Sequence, residues 1–553
     1  MKRLLMGLLG YTFVSQQVMA QTDSIANTYE LKNVVVKATK GIKSRNRVDN
    51  VDIIGQGQLI RAACCNLGES FTANPSVDVS YSDATTGAKQ IKLLGLSGTY
   101  VQMLTENVPN LRGAALPYSL GYVPGPWMQS IQVSKGASSV KNGYESTTGQ
   151  INIEFLKPQG IDGVRANVYQ DSELKTEVNL DGSIHLTDRL STATLLHFEN
   201  RQMEHDGNGD GFMDMPKLRQ YNLMHRWAYV SPRWISQLLL RGLHDERNGG
   251  QSSKHSNIAS SEPLYTTQTK TNRYEMQWKN GLTLNVDHNT SVALMLHGSW
   301  HDADNVFGKT QYDVTQKNGY AQLMFETDIN DKHNVSVGAS LNHDRYDERF
   351  NPLGSLSTAQ RNVTKETTLG LYAQYTYKLG EQLTVMPGLR WDHSSLYGSF
   401  ITPRLHIKYS PFNIVTIRAS VGKGYRSPHA LAENVSLLAS GRQIIVDSDL
   451  KQEEAWNMGA SLAFNIPLFG KNLELNAEYY YTDLVMNFDG AKGAHTLSFE
   501  NLNGKSYSHT FQVDATYALF SGISATAAFR LNDVKCTYDG VLRQKPLTSR
   551  YKG

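Results

Sequence analysis

From about residue 161 to the end, apolar and polar residues alternate with period two over segments of ten residues or more. Examples are "GVRANVYQDS", "STATLLHFEN", "RYEMQWKNGL", "TSVALMLHGSW", "TLGLYAQYTYKL", "LTVMPGLRWDH", "NLELNAEYYYT" and "FQVDATYALF". Alternation over such lengths predicts long β-strands with two unlike faces. The connections alternate as well. One set is short: 186–189, 231–233, 286–288, 330–333, 379–382, 410–413, 469–472 and 521–523. The other set is longer and polar: 201–217, 247–265, 347–364 and 425–449. Short turns on one rim and long loops on the other are the pattern of an outer-membrane β-barrel. Soluble all-β repeats, with strands of about 5–6 residues, lack it. Counting in pairs gives about 17–18 strands. Because an open edge in lipid is costly, the expectation is a barrel, 161–553, incomplete at its C-terminus.

The stretch before it has another texture. Residues 51–160 mix a helical candidate, "GQLIRAACCNLGESFTAN", with short strands such as "AKQIKLLGL", "TYVQMLTENVP" and "QSIQVSKG". This predicts one α+β domain of ordinary size. Residues 1–20 have the form of a secretory signal: Lys2 and Arg3, an apolar run from Leu4 to Val14, and a small residue, Ala20, before the expected cleavage. That run is too short to span a bilayer, and no later segment approaches the ~18 apolar residues of a membrane helix. Gln21 rather than Cys follows, so the signal is not a lipoprotein one.

Residues 21–50 form a polar tail interrupted by "ELKNVVVKATK". Val34, Val35 and Val36 are β-branched and favour a strand, yet no turn and second strand follow. The sheet partner of this lone strand is expected to be another protein.

Composition then narrows the function. Lys plus Arg total 54 against 51 for Asp plus Glu, a net charge of +3, so no single-sign field points to nucleic acid. Three cysteines are too few for a disulfide scaffold. There is no GxSxG elbow, HExxH helix or phosphate loop, and no enzyme is expected. Tyrosine is abundant at 28, as suits membrane–water interfaces.

Two constellations carry metal chemistry. In "HDGNGDGFMD", Asp206, Asn208 and Asp210 fall at positions 1, 3 and 5 of a calcium loop, Phe212 offers a carbonyl at 7, and Asp214 stands at 9. Position 12 is Lys217 rather than a bidentate Glu. The alternative is an Asp- and Gly-rich turn without an ion; calcium would be structural, and no cofactor is required. Cys64 and Cys65 are vicinal thiols, with Met203, His205 and His429 as further soft or borderline donors for a metal such as copper. The alternative is that the cysteines are buried helix residues and the methionines loop packing.

Three stretches carry a family resemblance. They are "LKNVVVKAT" at 31–39, "QSIQVSKGASSVKNGYESTTGQINI" at 129–153, and "GKGYRSP" with "DSDLKQEEAWNMG" within 422–459. In this order they resemble the coupling box, plug end and barrel signature of TonB-dependent outer-membrane receptors. The "CCN" and "NPSVDVSYSDA" texture is similar to the Bacteroidetes-type branch. The resemblance implies a membrane β-barrel, 22-stranded in the complete family fold, with the N-terminal α+β domain as a plug in its lumen. It implies a Gram-negative outer-membrane location. Its partners would be the TonB protein at Val34, Val35 and Val36, outer-membrane lipid and an extracellular ligand. Arg426 and Glu453 would lie on strands around the lumen, a solvated place at a loop base being the alternative. The implied function is import of a scarce nutrient, an iron–siderophore, haem or a metal complex, copper included. A passive porin or surface-binding protein is the alternative.

Overall fold

The computed structural model describes residues 47–62, 65–72, 74–83, 85–161, 163–253, 263–352, 359–491, 495–520 and 523–553. The expected signal, the tail as far as residue 46 with Val34, Val35 and Val36, and Cys64 lie outside them.

The N-terminal domain is built on a five-stranded sheet. Its order is Val51–Gly55, Met128–Lys135, Gly149–Phe155, Val101–Thr105 and Val108–Pro109. Gly149–Phe155 runs parallel to Val101–Thr105, and the other neighbours are antiparallel. Alternating β-branched residues bury one face: Ile131, Val133, Ile151 and Ile153 meet Leu67 and Trp127 in one core. At Gly149 (φ 154°) a Cβ would sit 2.2 Å from the Ser134 carbonyl oxygen, so only glycine lets the two strands approach here.

The helix expected over "GQLIRAACCNLGESFTAN" is short. It covers Gln56–Arg61, and one 3-10 turn, Glu69–Phe71, follows. Between them the backbone is spent elsewhere: the Gly125 N–H donates to the Cys65 carbonyl (2.9 Å), and the Leu67 N–H donates to the Val123 carbonyl (3.0 Å). Tertiary pairing here outweighs helical propensity.

From Val164 onward the chain is a meander of antiparallel strands. Seventeen long strands, from Val164–Gln170 to Ile523–Tyr538, are followed by the short Val541–Gln544 and Tyr551–Lys552. Each of the eight expected short connections falls between two successive strands of this sheet, for example Val230 to Trp234 and Leu379 to Leu383. The strands lengthen from 7 residues at Val164–Gln170 to 21 at Thr310–Asn330 and shorten again to 12 at Val415–Arg426. One face carries exposed Leu323, Val337, Leu341, Leu369 and Leu371. The other carries buried Arg226, Asp245, Arg273, Gln316, Asp344, Arg390 and Arg404. The apolar face is the lipid side and the polar face the lumen.

The opposite rim departs from expectation in two places. The loop expected at 347–364 is shorter, because strands run to Asn351 and resume at Gln360. The segment after Arg426 has structure of its own: Ala430–Glu433 is helical, and Gln443–Val446 joins Thr496–Asn501 and Asn487–Ala491 in a small sheet. No helix among the described residues is long and apolar enough to cross a membrane.

Candidate ligand site above the plug

Wall strands from around the sheet bond to the N-terminal domain, which is thereby encircled. The Asn50 side chain donates to Tyr480 Oη (2.7 Å), the Ala114 N–H donates to Gln316 Oε1 (3.0 Å), and Arg404 Nη1 donates to the Ser138 and Ser139 carbonyls (3.0 Å each). Buried ion pairs clamp the contact. Glu106 occupies a turn with Asn107 (φ 51° and 67°), where a left-handed backbone points its carboxylate at the wall. There it meets Arg226 Nη1 (2.9 Å), Lys279 Nζ (2.8 Å) and Lys157. Burial alone would raise its pKa; Arg226, Lys157 and Lys279 outweigh that and hold the carboxyl well below the usual range. Lys135 bridges Asp52 (3.2 Å) and Glu478 of the wall (2.6 Å). Burial opposes its charge, but those two carboxylates raise it above the ordinary lysine range.

The side of the plug facing the long loops carries a second, looser network. Leu111 (φ 53°) and Gly113 (φ 62°) turn the chain sharply around Arg112. Its guanidinium donates to Glu145, also of the plug, and to Asp344 of the wall. Asp344 accepts in addition from Gln316 (3.2 Å), Asn318 (3.0 Å) and Asn342 (2.8 Å). Next to it Arg426 donates to Glu453 Oε2 (2.6 Å) and to Glu433, and its guanidinium lies over the Tyr100 ring. Tyr100 Oη donates to Glu453 Oε1 (3.2 Å). Ser427 Oγ (3.0 Å) and Ser394 Oγ (2.6 Å) both donate to Glu366 Oε1. These residues surround a cavity of about 40 Å³, lined among others by Arg112, Gly113, Glu145, Tyr346, His429 and Glu433. A neighbouring space of about 20 Å³ reaches Tyr320 and Arg390. Each holds a few waters at most. Burial above all, with Asp344, Glu366 and Glu433 nearby, pushes the Glu145 carboxyl up in spite of Arg112.

The residues singled out from sequence fall in separate places. Cys65 is buried in the plug, its N–H donating to Glu69 Oε2 (3.0 Å). Burial pushes its thiol up, which disfavours the thiolate that binds soft metals. Met203 and His205 are exposed on the loop after Arg201. His429 stacks on Tyr346, with ring centroids 3.9 Å apart, at the cavity. In the loop 202–216 the acidic side chains cap backbone amides. Asp206 accepts from the N–H groups of Gly209 (2.8 Å) and Gly211 (3.0 Å), Asn208 from that of Asp210 (3.0 Å), Asp210 from that of Phe212 (2.8 Å), and Asp214 from that of Gly207 (2.8 Å). Lys217 pairs with Glu204 (2.8 Å). Among the described residues no three His, Cys, Asp or Glu side chains converge on a common metal position. Arg426 and Glu453 occupy facing register positions on adjacent wall strands at the loop side. Arg112, Glu145, Asp344 and Glu106 were missed from sequence; the turn signal in "TENVP" was the trace available for Glu106.

An encircled plug, a wall with a lipid face and a polar lumen, and one rim of tight turns define a plugged outer-membrane barrel. The family descriptions agree: TonB-dependent Receptor Plug Domain matches residues 43–150, and TonB dependent receptor-like, beta-barrel matches residues 204–551. The chain belongs to the TonB-dependent receptor family. It is similar to the iron-regulated outer membrane virulence protein of Vibrio cholerae serotype O1, at 21% identity over 464 residues, 79% of this chain and 66% of that one. The chain thus spans just under two thirds of that relative's length. A shorter match, 26% over 124 residues, covers 20% of this chain and 17% of the ferrienterobactin receptor of Escherichia coli K12. Among solved structures, the siderophore receptor PirA of Acinetobacter baumannii superposes with a TM-score of 0.67 at 17% identity, over 87% of this chain and 80% of that one. The copper transporter OprC gives 0.69 at 12% identity, over 88% and 79%. At these identities the likeness is one of fold.

Proposed function

We propose that this receptor captures a scarce nutrient at the cavity under the long loops and imports it into the periplasm with energy from the TonB complex. The nutrient class is an iron–siderophore, haem or another metal complex, copper included. The observation that carries the reading is the plug held to the wall inside the lumen. Ion pairs and polar contacts join plug to wall around the ring, and the cavities at the site hold only a few waters. A passive pore needs a continuous path; a plug held by buried ion pairs supports a reading in which it is displaced by force. An outer membrane has no ATP or ion gradient of its own, so the force must arrive through a handle. Val34, Val35 and Val36 supply one by adding a strand to a partner sheet. Names of similar proteins point the same way: one is iron-regulated, one is a siderophore receptor and one is a copper transporter.

The test is Val35→Pro, which removes a strand donor. Uptake by intact cells is expected to collapse while ligand binding at the surface persists. Unchanged uptake would overturn energy coupling and leave a passive porin or a surface-binding protein.

A further inference from the structure

We infer that the cavity above the plug takes a cargo presenting a compact positive charge rather than a polyanionic chelate. This rests on the uptake reading above and narrows its cargo. Five carboxylates, Glu145, Asp344, Glu366, Glu433 and Glu453, stand on the cavity or one residue behind it. They are opposed by two guanidiniums, Arg112 and Arg426, each shared between two of them. Among the described residues Glu366 is held by neutral donors, Ser394 Oγ, Ser427 Oγ and Thr368 Oγ1. Leaving Glu145 out of the count, four carboxylates still face two guanidiniums. The next cation, Arg390, is spent on Asp392 (2.7 Å). The neighbouring Glu348 accepts from Tyr312 Oη (2.6 Å) and adds further negative charge.

Charge alone does not make a site; the second observation is Tyr346. Its side chain is 1% exposed and lines the cavity, and its hydroxyl has no hydrogen-bond partner among the described residues. A buried hydroxyl left unpaired is costly unless a ligand or water completes it. The phenol oxygen is a neutral acceptor in an acid-rich pocket, suited to an ammonium hydrogen or to an oxygen-seeking metal ion. One face of the same ring is covered by His429, and the hydroxyl lies against Gly113, another residue of the cavity lining. A trianionic chelate meets the same groups with the opposite sign, in a site where partial burial strengthens repulsion.

Calorimetric titration of the full chain in detergent at about 0.15 M salt, a screening regime in which only close charges count, tests this with three probes. They are manganese(II) chloride, cadaverine and the trianionic ferric tris-catecholate. A cationic probe is expected to bind the wild type, and the trianion is not; which cation binds separates a metal source from an amine source. Glu366→Gln with Glu433→Gln should weaken the cation about tenfold or more. Tyr346→Phe should weaken it several-fold without lowering the unfolding temperature, because the lost hydroxyl has no partner to leave behind. Binding of the trianion, failure of both cations, or unchanged cation affinity in both variants would overturn the inference. The measurement involves no TonB, and Val35→Pro should titrate as the wild type. Failure of the charge assignment and failure of the uptake reading are therefore distinguishable.

Discussion

Glu106→Gln isolates the buried clamp between plug and wall. The carboxylate is 1% exposed and faces three cations, Arg226, Lys157 and Lys279. The amide keeps the shape, but its NH2 group confronts donors, and Arg226 and Lys279 lose this counter-charge while Lys157 keeps Glu154. Removing one partner of a buried pair typically costs about 3–5 kcal/mol. With a urea dependence of about 1–3 kcal/mol/M for a domain of this size, the plug transition should move down by roughly 2 M. Trp127 is buried in the plug core while the remaining tryptophans sit on wall strands, so its fluorescence reports plug unfolding. Glu154→Gln is the control, since Glu154 pairs with Lys157 (3.0 Å) at a partly exposed position. Adding Arg226→Met to Glu106→Gln should recover part of the loss, because it removes one of the stranded cations. A shift below about 0.5 M for Glu106→Gln would refute the clamp as a source of docking energy.

Acid should act on the same contact. Glu106, and Asp78 of the plug, which pairs with Arg530 and Lys552 of the wall, both have depressed carboxyl pKa values in the folded state, because the cations each one faces outweigh its burial. Such groups contribute fully above the unfolded value, about 4.5 or just below it, and the contribution fades as pH falls through the lower folded value. The contribution of these two carboxylates to the plug midpoint, read as the difference from the Glu106→Gln receptor carrying Asp78→Asn, should be level from pH 8 to about 5 and fade only below about 4; a difference already gone at pH 5 would assign acid lability to other groups. Gly149→Ala should cost about 2–3 kcal/mol, since backbone rather than a movable side chain blocks the new methyl; a cost below about 0.5 kcal/mol would mean that the strands can part. In a Cys64→Ser, Cys536→Ser background, maleimide should label Cys65 at least about tenfold faster in urea than in the folded receptor at pH 7, as its burial and raised pKa require; equal rates would place an accessible thiolate there.

The wall was legible because its signal is local. Period-two alternation and turn residues placed all eight short connections, including "SPR" before Trp234 and "FGKN" after Leu468. Where polar residues continue the alternation beyond the lipid band, as in Tyr346 to Asn351 and Gln360 to Glu366, sequence suggests a loop and the structure extends the strands. The site was less legible. Arg112 and Asp344 are 232 positions apart, and Glu106 and Arg226 are 120 apart. Each reads as one more charge on a strand or turn until the plug is inserted. The helix expected around Cys65 failed for the same reason: its backbone groups are claimed by residues near Val123 and Gly125.

The uneven length of the wall strands gives the receptor a low doorstep and a high back. At about 3.3 Å per residue and a tilt near 40°, 7 residues rise about 18 Å and 21 residues about 50 Å. The tall flank therefore stands well clear of a hydrophobic layer about 25 Å deep. Its upper outer surface accordingly carries Asp347 joined to Arg361 at 2.7 Å rather than leucine. The rim outside the membrane is therefore low beside the first strands and high along Thr310–Asn330.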